Sequence, residues 1–205
     1  MVVDDEDVDG RRRDLGMFRG AHATTLPPAR LRGVRAGASA GSVLCRNDYA
    51  GPVIHEGEQA PDFTLESDAG EQVSLSGLRG KPVVLYFYPK DDTPGCTAQA
   101  CGIRDAYGEF EQAGAVVLGV SPDSVGKHVK FKKKYDLPFT LLADPEHELA
   151  ESYGVWGEKK YMGKTYMGIS RTTFVIGADG TVVKVMENVK PVTHADDVLA
   201  ALGAS

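Results

Sequence analysis

The sequence predicts a three-layer α/β domain, and three observations lead there. From about residue 51 onward, runs of strand character alternate with segments of helical spacing. One run, "PVVLYFYP", is β-branched, apolar or aromatic almost throughout, as a central strand buried on both faces must be. The alternation closes with a hairpin signal and one more helix.

Taken in order, "DFTLESDAGEQVSL" gives two short alternating runs about Asp68-Ala69-Gly70, an N-terminal hairpin. The buried strand "PVVLYFYP" follows. Pro94 then opens a helix in which Ala100, Ile103, Tyr107 and Phe110 share one apolar face. "AVVLGVSPDS" reads as a second buried strand. A helix from about Ser124 has Val125/Val129 and Phe131/Tyr135 at helical spacing. "FTLLAD" is a third strand, and "EHELAESYG" a short helix closed by Gly154. "RTTFVIGADGTVVKVME" forms a hairpin over Asp179-Gly180. Thr193, with Asp196 three residues on, caps a last helix carrying Val198, Leu199 and Leu202.

Composition divides the chain near residue 50. Residues 1–50 hold eight arginines and no lysine, whereas 51–205 hold three arginines and twelve lysines. The first segment runs from the acidic "DDEDVD" through "GRRRDLG" to "RLRGVRAGASAG" without sustained periodicity. A disordered extension is expected there, either an interaction tail or the product of a start codon assigned too far upstream. Its acidic opening is unlike an organellar targeting peptide. Cys45 in this segment is read as a stray thiol. Residues 51–205 then form one domain.

The bulk numbers exclude several classes of function. A net charge of −6 argues against a nucleic-acid partner, which needs clustered positive charge. The longest apolar run, "VVLYFY", is far short of the roughly 20 residues of a membrane span. Three cysteines are too few for a disulfide framework and predict a reducing, cytoplasmic setting. His55, His128, His147 and His194 show no metal-ligand spacing with one another or with the cysteines, so no metal is expected. "GEKKYMGKT" superficially suggests a phosphate-binding loop, but its glycines enclose five residues where that motif needs four; it is read as a plain loop. "KFKKKY" is read as the solvated face of a helix, and Tyr153 and Trp156 as packing or interface residues.

The chemistry concentrates in "YPKDDTPGCTAQACGIRD", residues 88–105. Thr93 suits the N-cap and Pro94 the first helical position. Cys96 then falls in the first turn, beside unpaired backbone N–H groups and the positive end of the helix dipole. The buried strand delivers it to the carboxyl edge of the sheet, where α/β proteins place their sites. A free thiol near pKa 8.5 is only about 3% thiolate at pH 7, and a first-turn position beside a cation favours the reactive thiolate. Cys101 lies five positions on. In an intact helix the two Cα atoms are roughly 8.7 Å apart, whereas a disulfide needs less than about 7 Å. The pair can join only if the helix unwinds, and Gly95, Gly102 and Gly108 each weaken it by about 1 kcal/mol relative to Ala.

Pro89, Thr93 and Cys96 match the Pro-x-x-x-Thr-x-x-Cys signature of the peroxiredoxins. "YFYPKDDTPGCTAQAC" resembles the active-site segment of their Q-type, or bacterioferritin comigratory, branch. "APDFTL", "GVSPDS" and "YGVWGEKKYMGKTYMGISRTTFVI" are similar to that branch as well, so the resemblance spans roughly residues 53–203. It implies a thioredoxin-like three-layer fold with a central mixed sheet and the N-terminal hairpin. It implies a thiol peroxidase acting on hydrogen peroxide and organic hydroperoxides. Cys96 would be the peroxidatic cysteine and Cys101 the resolving one, giving an intramolecular disulfide reduced by thioredoxin or a similar dithiol. Thr93 would hydrogen-bond the thiolate or the peroxide, Arg171 would hold the thiolate charged and polarise the peroxide, and Pro89 would shield the thiolate from water. No cofactor is implied, and the assembly would be a monomer or weak homodimer. Gln99, where many relatives carry Glu, receives no role. Two other functions fit the same thiols: a peroxide sensor whose unwound helix binds a partner, and a disulfide oxidoreductase, against which the absence of Cys-x-x-Cys counts.

Overall fold

In the computed structural model, which describes residues 54–161 and 163–203, the predicted buried strand is fully buried at all five of its positions. The expected extension over 1–50 lies outside the described residues. The strands, in chain order, are β1 (Thr64–Ser67), β2 (Gln72–Ser74), β3 (Val83–Phe87), β4 (Val116–Ser121), β5 (Thr140–Ala143), β6 (Trp156–Tyr161), β7 (Lys164–Ile169), β8 (Thr172–Ile176) and β9 (Val182–Met186). The helices are α1 (Pro94–Asp105), α2 (Tyr107–Gln112), α3 (Val125–Tyr135), α4 (Glu148–Ser152) and α5 (His194–Gly203). Seven strands form one mixed sheet in the order β2-β1-β5-β4-β3-β8-β9. β3, β4 and β5 run parallel, and every other pairing is antiparallel.

Strand periodicity divides the core. Val84, Tyr86 and Tyr88 point to one face with Ala100, Ile103, Phe110, Phe131, Ala195 and Val198, the inner sides of α1, α2, α3 and α5. Val83, Leu85 and Phe87 point to the other, against Leu149, Ala150, Tyr153 and Phe174. Helices α1–α2 and α3 cover the same face because both right-handed crossovers step in one direction, from β3 to β4 to β5. The fold is the thioredoxin-like α/β architecture that the sequence implied.

Four local expectations need correcting. The helix from Pro94 is not continuous: Ala106 leaves helical geometry (φ −96°, ψ 7°), so Phe110 sits on a separate α2. On α3 the buried side chains are His128 and Phe131, while Val129 is 45% exposed. A histidine can point inward there because both ring nitrogens find partners, the Asp91 carboxylate and the Leu142 carbonyl. "GEKKYMGKT" is not a plain loop: it carries most of β6, the turn and the start of β7 in a two-stranded hairpin, and β7 is exposed along most of its length, which hides the usual alternation. The hairpin's first residue, Trp156, stacks on His147 with ring centroids 3.7 Å apart. Finally, the Thr193 hydroxyl donates to Asp197 rather than engaging Asp196.

Glycines mark the tightest places. Gly70 and Gly180 take positive φ in the two predicted turns, and Gly154 does so after α4. Gly119 on β4 has a different reason: a Cβ there would lie 2.6 Å from the Tyr86 hydroxyl oxygen and 2.9 Å from Leu141 Cδ2. Both neighbours are sealed in the core and cannot give way. Gly119→Ala is therefore expected to cost about 1–3 kcal/mol of stability, seen as a lower urea midpoint.

Candidate active site

β3 carries the chain to the edge of the sheet, and Tyr88 prolongs the pairing with its N–H donating to the Val120 carbonyl. Pro89 and Lys90 then emerge into solvent. Asp91 turns back into the protein and is 7% exposed. Its carboxylate accepts the Tyr88 hydroxyl at 2.7 Å and His128 Nδ1 at 2.8 Å, while its own N–H donates to Asp123 at 2.7 Å. Asp92 adopts φ 55°, a left-handed conformation that aspartate tolerates, and Lys134 and Tyr135 hold its carboxylate. Both aspartates thus fasten the segment between Pro89 and Thr93 to α3. These bonds keep the Asp92 carboxyl below its usual range, chiefly through Lys134.

Thr93 occupies the N-cap by backbone conformation, but its side chain makes no capping bond. The hydroxyl donates instead to the Lys90 carbonyl at 3.1 Å. With its proton so committed, the Thr93 oxygen offers lone pairs to a neighbour.

Cys96 lies in the first turn of α1 and is 2% exposed. The antiparallel register of β3 and β8 sets Phe87 opposite Thr172, which brings Arg171 to the same edge of the sheet. Arg171 Nη2 donates to Cys96 Sγ at 3.4 Å. Its Nη1 donates to Gln99 Oε1. One guanidinium therefore bridges two side chains a single turn apart on α1. It crosses the helix over Gly95, where a Cβ would come within 3.2 Å of Nη2 and 3.8 Å of Pro191. Cys101 is half-buried on the same helix, and both thiols are free.

The expected residues thus meet to different degrees. Cys96 and Arg171 are in contact, with Thr93 at the head of the same helix and Cys101 further along it. Pro89 is exposed at the head of the loop, outside that contact. Sequence reasoning passed over Gln99, Asp91 and His128. Gln99 was within reach, because a residue three after Cys96 shares its helical face. The pairing of Asp91 with His128 had no local signal, since it joins positions on separate elements.

Tyr86 is buried, and desolvation holds its phenol well above the usual range. Among the described residues no group of three or more His, Cys, Asp or Glu could hold a metal ion. Among them, too, no helix is long and apolar enough to cross a membrane.

The AhpC/TSA family model matches residues 56–185. The chain belongs to that family. Peroxiredoxin Bcp of Bacillus subtilis is 52% identical over 149 residues, 73% of this chain and 95% of that protein. Peroxiredoxin Q of Xanthomonas campestris superposes with a TM-score of 0.67 at 42% identity, over 69% of this chain and 90% of the other. A trapped intermediate/ligand complex of the X. campestris bacterioferritin comigratory protein, concerned with its alkyl peroxide reduction activity, matches with a TM-score of 0.66, also at 42% identity, over 69% of this chain and 90% of that one. Within the family, then, this is a peroxiredoxin of the Q-type branch.

In this peroxiredoxin the loop before α1 rests on Asp91. Asp91→Ala would leave the Tyr88 hydroxyl and His128 Nδ1 buried without their acceptor. The expected loss is about 3 kcal/mol, measured by chemical denaturation of the reduced protein.

Proposed function

We propose that Cys96 is the peroxidatic thiol of a two-cysteine thiol peroxidase that reduces hydrogen peroxide and organic hydroperoxides to water and alcohols. The observation that carries this reading is the Arg171 contact with a nearly inaccessible thiol in the first turn of α1. Helix N-terminus and guanidinium together favour the thiolate. The thiolate attacks one oxygen of the O–O bond, which breaks. Cys96 becomes a sulfenate as the departing hydroxide or alkoxide takes up the peroxide's proton, and the proton released when the thiol ionised returns from solvent to give the sulfenic acid. Arg171 supplies fixed donors as negative charge moves to the departing oxygen. Thr93, its own proton held by the Lys90 carbonyl, accepts the peroxide O–H and orients the substrate. Pro89 is assigned the shelter of the thiolate from water. The alkyl peroxide reduction reported for the X. campestris relative supports organic hydroperoxides among the substrates.

Cys101 then attacks the sulfenic sulfur, releasing water and forming a Cys96–Cys101 disulfide. This step requires α1 to unwind, since its helical geometry holds the sulfurs' backbones too far apart. A thioredoxin or similar dithiol reduces the disulfide and restores both thiols. The cycle uses neither metal nor organic cofactor.

Stopped-flow mixing of the reduced protein with one equivalent of hydrogen peroxide, followed by peptide mapping, tests the reading. The expected result is oxidation many orders faster than a free thiol, ending in the Cys96–Cys101 disulfide. Slow oxidation, or modification elsewhere, would sink it. Gly102 isolates the unwinding step, because a Cβ there meets only the Pro191 carbonyl oxygen at 3.9 Å. Gly102→Ala should strengthen α1 by about 1 kcal/mol without a clash. Disulfide formation should slow about fivefold, with more sulfinic acid under excess peroxide and an unchanged first oxidation.

A further inference from the structure

Gln99 does not hold Arg171 alone. Beyond its amide lies a buried chain that reaches another helix and returns to the sheet. Gln99 Nε2 faces His194 Nδ1 at 3.1 Å, and His194 Nε2 faces Thr173 Oγ1 at 2.8 Å. Gln99, His194 and Thr173 are all 0% exposed. Each of their side-chain polar atoms has a protein partner, and the order of donors along the chain follows from chemistry.

A guanidinium has donors only, so the atom that meets Arg171 must be the amide oxygen. The amide NH2 therefore points at His194 Nδ1, which must present a lone pair. The ring's proton then lies on Nε2 and is donated to the Thr173 hydroxyl oxygen. We propose that His194, in this neutral tautomer, is a positioning residue of the Cys96 site, acting through Gln99 to fix Arg171 against the thiol. The proposal rests on the reading of Cys96 as the peroxide-reactive group.

Its physical basis is the cost of an orphaned amide. Without an acceptor at Nδ1, the buried NH2 of Gln99 has no partner, and the side chain is driven to move off Arg171 to find one. A proton on Nδ1 would oppose N–H to N–H and have the same effect. The surroundings favour the neutral ring: burial is the main influence, Asp197 on α5 opposes it, and Arg171 adds to it, lowering the His194 pKa to about 4. The third neighbour is Tyr86 on β3, whose ring centroid lies 5.8 Å from that of His194 and whose phenol is neutral.

Three variants and one spectrum test the proposal. His194→Asn retains an acceptor close to the position of Nδ1 and should react with peroxide at nearly the parent rate. His194→Leu removes the acceptor and should slow Cys96 oxidation about tenfold. In a Gln99→Leu background, His194→Leu should slow it no further, because the effect passes through Gln99. Histidine 15N shifts of the intact reduced protein at pH 7 should show the Nε2–H tautomer at His194, whether or not the variants fold. An Nδ1–H tautomer, a His194→Leu protein at full rate, or a further loss in the Gln99→Leu background would each overturn the proposal. If the parent itself reacts slowly, the peroxidase reading fails, and the proposal with it. The tautomer separates that result from an error in the hydrogen-bond chain.

Discussion

The pairing of β3 with β8 sets Phe87 opposite Thr172, and the reactive edge of the molecule follows from that register. β3 runs out of the sheet into the loop that starts α1, so Cys96 is bound to appear just beyond its end. β8 runs the other way, so the residue before it arrives at the same place from a distant part of the sequence. A slip of one residue would turn the side chains of β8 to the opposite face and exchange Thr173 for Thr172 beneath α1. The contact between Arg171 and Cys96 is in this sense a property of the sheet. Mixed topology is what permits it, because a parallel partner would bring the start of its strand to the far edge.

Around that contact the protein uses buried polar groups in two separate sets, one on each side of the start of α1. Tyr88, Asp91 and His128 fasten the incoming loop to α3 and β5. Gln99, His194 and Thr173 back the guanidinium from α5 and β8. Each set is paired internally, so the desolvation of its members is offset and the groups have few alternatives to their observed positions. The helix between them is left with weak points, Gly95 and Gly102 within it and the break at Ala106 after it. Firm anchors flank a segment of low intrinsic stability.

Much of this was legible in the sequence, and the exceptions share a cause. Hydrophobic period and turn residues were enough for the central strand, both hairpins of the main sheet and the helix that begins at Pro94, because those signals are local. The Arg171–Cys96 contact came from the family motif and the start of β8. What the sequence did not reveal depends on pairs that meet only in three dimensions. His128 looked like an unremarkable residue on a lysine-rich helix until Asp91 and the Leu142 carbonyl gave it reason to be buried. Val129 shares a helical spacing with Val125 yet lies exposed, and the side chains that α3 buries are His128 and Phe131. The β6–β7 hairpin was missed because neither strand is packed on the core along its length, so the period-two pattern that burial imposes is absent. Gln99 was passed over as a substitution at a family position, although its amide can do what a carboxylate cannot, accepting from Arg171 on one side and donating to His194 on the other.

The interruption at Ala106 bears on how the protein survives its own proposed cycle. Phe110, wholly buried, belongs to α2 and not to the segment that carries the two cysteines. In the proposed cycle the opening of α1 would then have a defined boundary at Ala106, with Phe110 left in the core beyond it. Turnover would then disturb α1 while the central strands and α2 keep their packing. A protein arranged this way can pass through a partly unfolded form at every cycle without each passage being an opportunity for aggregation.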